Sequence, residues 1–273
     1  MSAPRVVIVG HVEWVTHALG RLPARGHIAD QRGAFGEPAG GGGGAAVAAA
    51  RLGAHTTLVT ALGGDAAAQT AAQVLAARGV ELTAAARAAA QTPVLTITEP
   101  DGERTIMVIG ERLQARVDDG LHLTVATGSG AAYYTGEDAA LLSEIRARVP
   151  LLVVTARRLE DLVTAGVRAD VVVGSANDPD EDPRGLPVGL TPAWTVLTDG
   201  ARGGTVIAHD GTVRRYPAVA PSAPAIDSYG CGDTFAAGLT VGLARGLDID
   251  GAIALGATAG AECATWRGGI GPP

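Results

Sequence analysis

Residues 227–239 read DSYGCGDTFAAGL. Asp233 follows Gly230-Cys231-Gly232 and precedes a run of small residues where a helix must begin. A carboxylate at a helix start is an ordinary cap, because the first turn presents unpaired N–H groups and about half a positive charge. Two glycines exceed what a cap requires, since glycine is costly unless the backbone takes unusual angles or something must come close. Two further stretches place polar groups after apolar runs: Ser175-Ala176-Asn177-Asp178-Pro179-Asp180-Glu181 and Thr198-Asp199-Gly200. Each also has a plain reading, as an acidic loop and as an Asp-Gly turn.

What the chain lacks narrows the chemistry. All 21 basic residues are arginine, which excludes a Walker A lysine, a protein-kinase strand lysine and Schiff-base catalysis. Two cysteines, Cys231 and Cys263, without a Cys-x-x-Cys pattern support neither a disulfide framework nor a zinc site. There is no His-Glu-x-x-His and no Gly-x-Ser-x-Gly, and the six histidines are scattered. A net charge of −7 without a basic run argues against nucleic-acid and anionic-membrane partners and leaves small or neutral ones. The N-terminal apolar run is too short for a signal peptide and no long apolar segment follows, so a cytoplasmic protein is expected.

With 273 residues, 47% of them hydrophobic, the chain suits one large domain. Arg5 to Gly10 reads as a buried parallel strand. Residues 11 to 40 break into weak candidates, either loop or a small separate sheet. Gly40 to Gly44 opens an alanine-rich helix ending near Gly53, His55 to Leu62 is a strand, and Gly63-Gly64-Asp65 starts a helix through Arg78. Alanine-rich residues 84–90 are placed between elements. Thr92 to Ile109 reads as a hairpin turning at Asp101-Gly102. Strands then follow at Ala131–Tyr134, Leu151–Thr155, Asp170–Val173 and Trp194–Leu197, with helices at Glu137–Arg148 and Leu159–Gly166. A hairpin over Gly204–Tyr216 and helices Gly232–Ala244 and Ile249–Thr265 close the chain. The sum is an α/β fold with a doubly wound parallel sheet and two β insertions. Gly41, Gly43 and Ala46 with Asp65 can be fitted to a dinucleotide fingerprint, but that fingerprint must follow directly on the buried first strand, which ends at Gly10, whereas here Gly36-Glu37-Pro38-Ala39 precede it.

DSYGCGDTFAAGL resembles the C-terminal signature of the ribokinase or PfkB-type carbohydrate kinase family, and GGGGAAVAAARLGAHTTLVTALGGD (residues 41–65) is similar to its N-terminal signature. The likeness spans nearly the whole chain. It implies a single ribokinase-like α/β domain over 1–273, with lid segments at about 11–38 and 91–109 that shield the substrate and in many relatives form a homodimer interface. It further implies an ATP-dependent phosphotransferase acting on a hydroxyl of a sugar, nucleoside or related small polyol. Asp233 would then be the general base, and the N–H groups of Gly230, Cys231 and Gly232 would cradle the phosphate. By the same resemblance Asn177 and Asp180 hold Mg2+ through water, and Asn177, Thr198, Gly200 and Thr258 meet ATP. Asp227, Tyr229 and Gly269 would form a K+ site, while Glu13, Gly41, Gly42, Gly44 and Arg104 would line the substrate site.

The pattern is broken at two hydroxyl-binding positions. The family's asparagine falls on Gly44 and its aspartate on Val15. Glu13 is available as a substitute acceptor, or else as a solvated residue of a lid strand. These departures put the identity of the sugar in question more than the chemistry. They also leave open a catalytically silent nucleotide- or sugar-binding regulatory protein of the same fold.

Overall fold

Apolar residues fill both faces of the first strand. Val6 and Ile8 pack into one hydrophobic cluster and Val7 and Val9 into another, as the period-2 geometry of a strand covered on both sides demands. The computed structural model describes residues 3–99, 104–125, 128–183 and 186–272. In chain order its first half is β1 (Arg5–Val9), β2 (Glu13–Leu19), β3 (Arg32–Ala39), α1 (Gly40–Arg51), β4 (His55–Leu62), α2 (Ala66–Ala77), β5 (Val80–Ala86), β6 (Pro93–Thr98) and β7 (Arg104–Val108). The second half is α3 (His122–Val125), β8 (Ala131–Tyr134), α4 (Ala139–Arg146), β9 (Leu152–Thr155), α5 (Leu159–Ala165), β10 (Val171–Ser175), β11 (Trp194–Thr198), β12 (Gly204–Ala208), β13 (Val213–Tyr216), α6 (Cys231–Ala244) and α7 (Ile249–Cys263).

Among the described residues the main sheet has nine strands in the order β13-β12-β11-β10-β9-β8-β1-β4-β5. All neighbours from β5 to β11 are parallel, and β12 and β13 form an antiparallel edge. Helices cover both faces. Ile8, Leu58, Leu75, Phe235 and Leu239 belong to one core. Tyr134, Leu141, Leu142, Ile145 and Leu162 belong to the other. β1 lies between β4 and β8, so strand order reverses there. In open α/β sheets the carboxyl ends of the strands flanking such a reversal leave a crevice for ligands.

A second sheet of four strands, β3-β2-β6-β7, carries the chain's two insertions. β2 pairs antiparallel with β3 and parallel with β6, and β6 pairs antiparallel with β7. Of the two readings for residues 11–40, the small separate sheet holds for Glu13–Leu19 and Arg32–Ala39, with a connecting segment between them. The turn expected at Asp101-Gly102 lies outside the described residues, although the pairing of Val94–Thr98 with Arg104–Val108 on either side is a hairpin ladder.

Other boundaries move for local reasons. The alanine run at 84–90 is not simply a connector, since Ala84–Ala86 end β5 and pair with Thr60–Leu62 of β4. Asp65 and Asp138 stand just outside α2 and α4 as N-caps, accepting the N–H groups of Ala68 and Leu141 at 3.0 and 2.9 Å, so those helices begin later than a count of apolar residues indicates. The second oxygen of Asp65 accepts the Gln91 N–H at 3.2 Å, so both oxygens of this carboxylate serve the fold.

Candidate active site

The crevice at the reversal point is built from the ends of β1 and β8, the start of α1 and the start of α6. The Thr135 N–H donates to Val9 O at 2.8 Å, and the Gly42 N–H donates to His11 O at 3.0 Å, tying these ends together. Gly41 lies beside Asp233, since a Cβ on Gly41 would sit 3.5 Å from Asp233 Oδ1 and 2.9 Å from Thr135 Oγ1. Asp233 occupies the first turn of α6, near the buried Tyr133 of β8. Burial, then the charges of Glu181 and Glu13, push its pKa up to about 6, against the opposing pull of Arg157 and the Tyr133 hydroxyl.

The start of α6 is left open. Its N-cap is Gly230, with φ 74° and no side-chain cap. The first backbone bond of the helix runs from the Thr234 N–H to Gly230 O at 2.9 Å, while the Cys231 N–H makes only a 3.5 Å contact with Ser228 O. The N–H groups of this turn thus face outward at the positive end of the helix, the arrangement that suits an anion.

The two glycines have different causes. Gly230 is required by the chain itself, through its left-handed φ and because a Cβ there would come within 2.8 Å of Gly269 Cα. Gly232 is exposed, has no positive φ and would meet nothing within 4 Å. Only the second is unexplained by the polypeptide.

Three buried or half-buried groups surround Asp233. Glu13 is buried at 4% exposure, so it is no solvated strand residue. Its Oε1 accepts the Arg112 Nε–H at 2.7 Å, and burial raises its pKa despite that partner. His11 is buried, and its Nε2 accepts the Gly41 N–H at 3.3 Å. Burial and the nearby Arg112 and Arg158 hold the imidazole neutral, with a pKa of about 3, and its buried Nδ1 has no partner among the described residues. Glu181, half-buried, is held by the Arg157 Nε–H at 2.8 Å, and its own pKa is raised by burial.

Asp180, the expected water-mediated magnesium partner, is exposed, and its N–H donates to Asp178 Oδ1 at 3.0 Å. The short turn Pro179–Glu181 rotates Glu181, not Asp180, toward Asp233. The exposed Asn177 donates to Asp199 Oδ1 at 3.2 Å and accepts from Arg202 at 3.1 Å, so the ends of β10 and β11 form one polar group. Thr198 closes it from β11, donating to Gly174 O at 3.3 Å, and Gly200 follows with φ 53°. Thr258 is exposed on α7 and donates to Ala254 O at 2.9 Å.

Asp227 is buried, with one carboxylate oxygen accepting the Tyr229 N–H and the other the Gly268 N–H, both at 3.0 Å. Arg104 reaches across from β7 to donate to the Ser228 hydroxyl. Gly44 is buried in α1, and a Cβ there would meet only Gly269 O, at 3.9 Å. Val15 packs with Ala39, Val94 and Tyr229 in a small apolar cluster between the second sheet and the loop before α6. Neither position supplies a polar contact. His11, Tyr133, Arg112, Glu37 and Glu181 were not singled out from sequence as site residues. For His11 the signal was its place directly after β1 and Gly10.

Among the described residues no helix is long and apolar enough to cross a membrane. A stretch of 71 residues is 48% identical to an acarbose 7(IV)-phosphotransferase of Actinoplanes sp., spanning 26% of this chain and 24% of that protein. Another of 69 residues is 44% identical to an adenosine kinase of Schizosaccharomyces pombe, spanning 25% and 20%. The matched stretches thus cover no more than about a quarter of these relatives. The fold extends further: a ribokinase of Arabidopsis thaliana complexed with ribose and ATP superposes with a TM-score of 0.73 at 18% identity, over 98% of this chain and 95% of that one. The ribokinase-like α/β architecture is therefore shared along the whole length. Residues 4–162 and 186–273 match the family model of the pfkB family carbohydrate kinases, and with both signature regions and the open helix start inside those spans, the chain belongs to that family.

Proposed function

We propose that this protein transfers the γ-phosphoryl group of ATP to a hydroxyl of a sugar, nucleoside or related small polyol. The observation that carries the reading is the Asp233 carboxylate, with a pKa of about 6, at the uncapped start of α6 and at the strand-order reversal. A base with that pKa is ionised at neutral pH yet basic enough to take a proton as a new bond forms. The acceptor hydroxyl donates to Asp233, its oxygen attacks the γ-phosphorus in line, and the bond to the bridging oxygen breaks to release ADP. The N–H groups of Gly230, Cys231 and Gly232 face the charge on the moving phosphoryl.

Acarbose, adenosine and ribose, named for the relatives, share a polyhydroxy character, which is the basis for the acceptor class. The nucleotide side is assigned to Asn177, Thr198 and Gly200. The second sheet acts as a lid that keeps water from ATP. Magnesium fits the polar rim, where Glu181 is a desolvated carboxylate and Asn177 an exposed amide; it would supply charge neutralisation at the phosphates. Asp227 and the backbone oxygens near Tyr229 and Gly269 offer the oxygen ligands a K+ ion takes.

The test is ADP release with magnesium ATP and K+ over pentoses, hexoses, ketose phosphates, nucleosides and aminocyclitol-type polyols, with D233N alongside. Release that depends on one acceptor class and collapses in D233N supports the reading. Nucleotide binding with no turnover on any acceptor points instead to a regulatory binding protein, the reading that Gly44 and Val15 favour.

A further inference from the structure

Glu37, near the end of β3, is buried at 6% exposure although it belongs to the second sheet. Its Oε1 accepts the Gly269 N–H at 2.5 Å and lies 3.0 Å from His17 Nε2 on β2. Phe35 stacks on the His17 ring at 4.8 Å and Tyr229 meets it edge-on at 4.9 Å. The residue before Gly269 donates its N–H to Asp227, so the 268–269 turn is held between a carboxylate of the second sheet and one of the α6 loop. That turn is also the surface on which Gly230 rests.

From these contacts we propose that Glu37 is a positioning residue that sets the geometry of the anion-binding turn at the start of α6 from the second sheet. The chain of contact runs from Glu37 through Gly269 to Gly230, the N-cap whose φ fixes the direction of the N–H groups that follow. Arg104 grips the same loop from the opposite edge of the sheet, through Ser228. A sheet seated on an acceptor thereby holds the phosphate-binding turn in its working shape, and a displaced sheet releases it. Neither residue touches the reacting atoms. The inference rests on the phosphotransfer reading for its kinetic consequence alone.

The experiment compares the parent, E37A and E37Q by steady-state ADP release and by amide hydrogen exchange of the segment 226–232. Both contacts are made by the one oxygen, Oε1, and glutamine can place its carbonyl oxygen there to accept from Gly269 and from His17 Nε2, so it should restore what alanine removes. The expected result is a roughly 10- to 100-fold fall in kcat for E37A, the scale of a misplaced reacting geometry. KM for ATP and acceptor should change by no more than about threefold, kcat in E37Q should return to within about threefold of the parent, and exchange of 226–232 should be faster in E37A only. An unchanged kcat in folded E37A overturns the proposal. So does a loss that follows the melting temperature and is not restored by E37Q. If the parent turns over no acceptor, the phosphotransfer reading fails and exchange alone decides: unchanged protection of 226–232 in E37A overturns the positioning role, and faster exchange restored by E37Q supports it.

Discussion

Gly230 and Gly269 meet backbone to backbone, with room for a hydrogen and not for a methyl group: a Cβ on Gly230 would come within 2.8 Å of Gly269 Cα. G230A adds that clash to a left-handed φ of 74°, which alone costs about 1–2 kcal/mol for an L side chain. It should lower the urea midpoint and turnover together. G232A should separate them. A methyl at Gly232 meets nothing within 4 Å, and alanine favours a helix over glycine by up to about 1 kcal/mol. The midpoint should hold or rise, while kcat falls at least roughly tenfold because the new group stands where the phosphoryl approaches. Denaturation and ADP release on the two variants check both halves.

The Asp233 carboxylate should shape the pH profile. As a base raised to about 6, it predicts a rising limb of kcat/KM centred near pH 6, with activity lost as pH falls through that value. D233N should remove the limb and lower kcat roughly 10²–10⁴-fold. Glu181 is the second cause of the shift and Arg157 opposes it, so E181Q should move the midpoint down and R157Q should move it up. For stability the sign is reversed relative to a salt-bridged acid. A carboxyl with a folded pKa above its unfolded value binds its proton more tightly when folded, so its contribution favours folding below about pH 4 and is lost as pH rises to about 6. D233N should therefore be at least as stable as the parent at pH 8.

The pairing of Glu13 with Arg112 predicts an asymmetry between partners. R112A strands a buried carboxylate, whereas E13Q leaves a half-exposed guanidinium that water can reach. At pH 8 R112A should melt lower than E13Q. The gap should close as pH falls, because burial already raises the Glu13 pKa and loss of Arg112 raises it further, so the stranded group becomes neutral. Thermal melts of both variants across pH 5–8 measure this.

Asp65 offers a test of the fold rather than of the chemistry. D65A removes the α2 cap and the Gln91 contact, for an expected loss of about 1–2 kcal/mol. Urea denaturation should record it, with kcat unchanged in the folded fraction.

The parts of the fold legible in sequence were those where residue type and period agree. RVVIV and HTTLVTAL carry β-branched residues and both became central strands. β5 was hidden because VELTAAA ends in alanines, which lack strand preference and are ordered here by pairing with β4. In β2, EWVTHAL buries a glutamate and a histidine, so polar residues interrupt the apolar signal. The placement of Asp233 and its glycines at a helix start was legible because a local motif contains them. Which acid of Asp178, Asp180 and Glu181 faces inward depends on one turn of backbone, and no spacing rule supplies that rotation. Glu37 was not legible because its partner, Gly269, comes from the far end of the chain.

The parallel pairing of β2 with β6 joins segments that leave the main sheet on either side of α1, β4, α2 and β5. The outer strand of the second sheet, β7, buries none of its five residues, and the apolar cluster beneath the sheet is small, so little apolar burial holds it in place. The second sheet should thus be the first part to open, as a unit of low local stability. Mild heat or low urea would then silence the protein while its nine-stranded core remains intact, so loss of turnover should precede loss of far-ultraviolet dichroism.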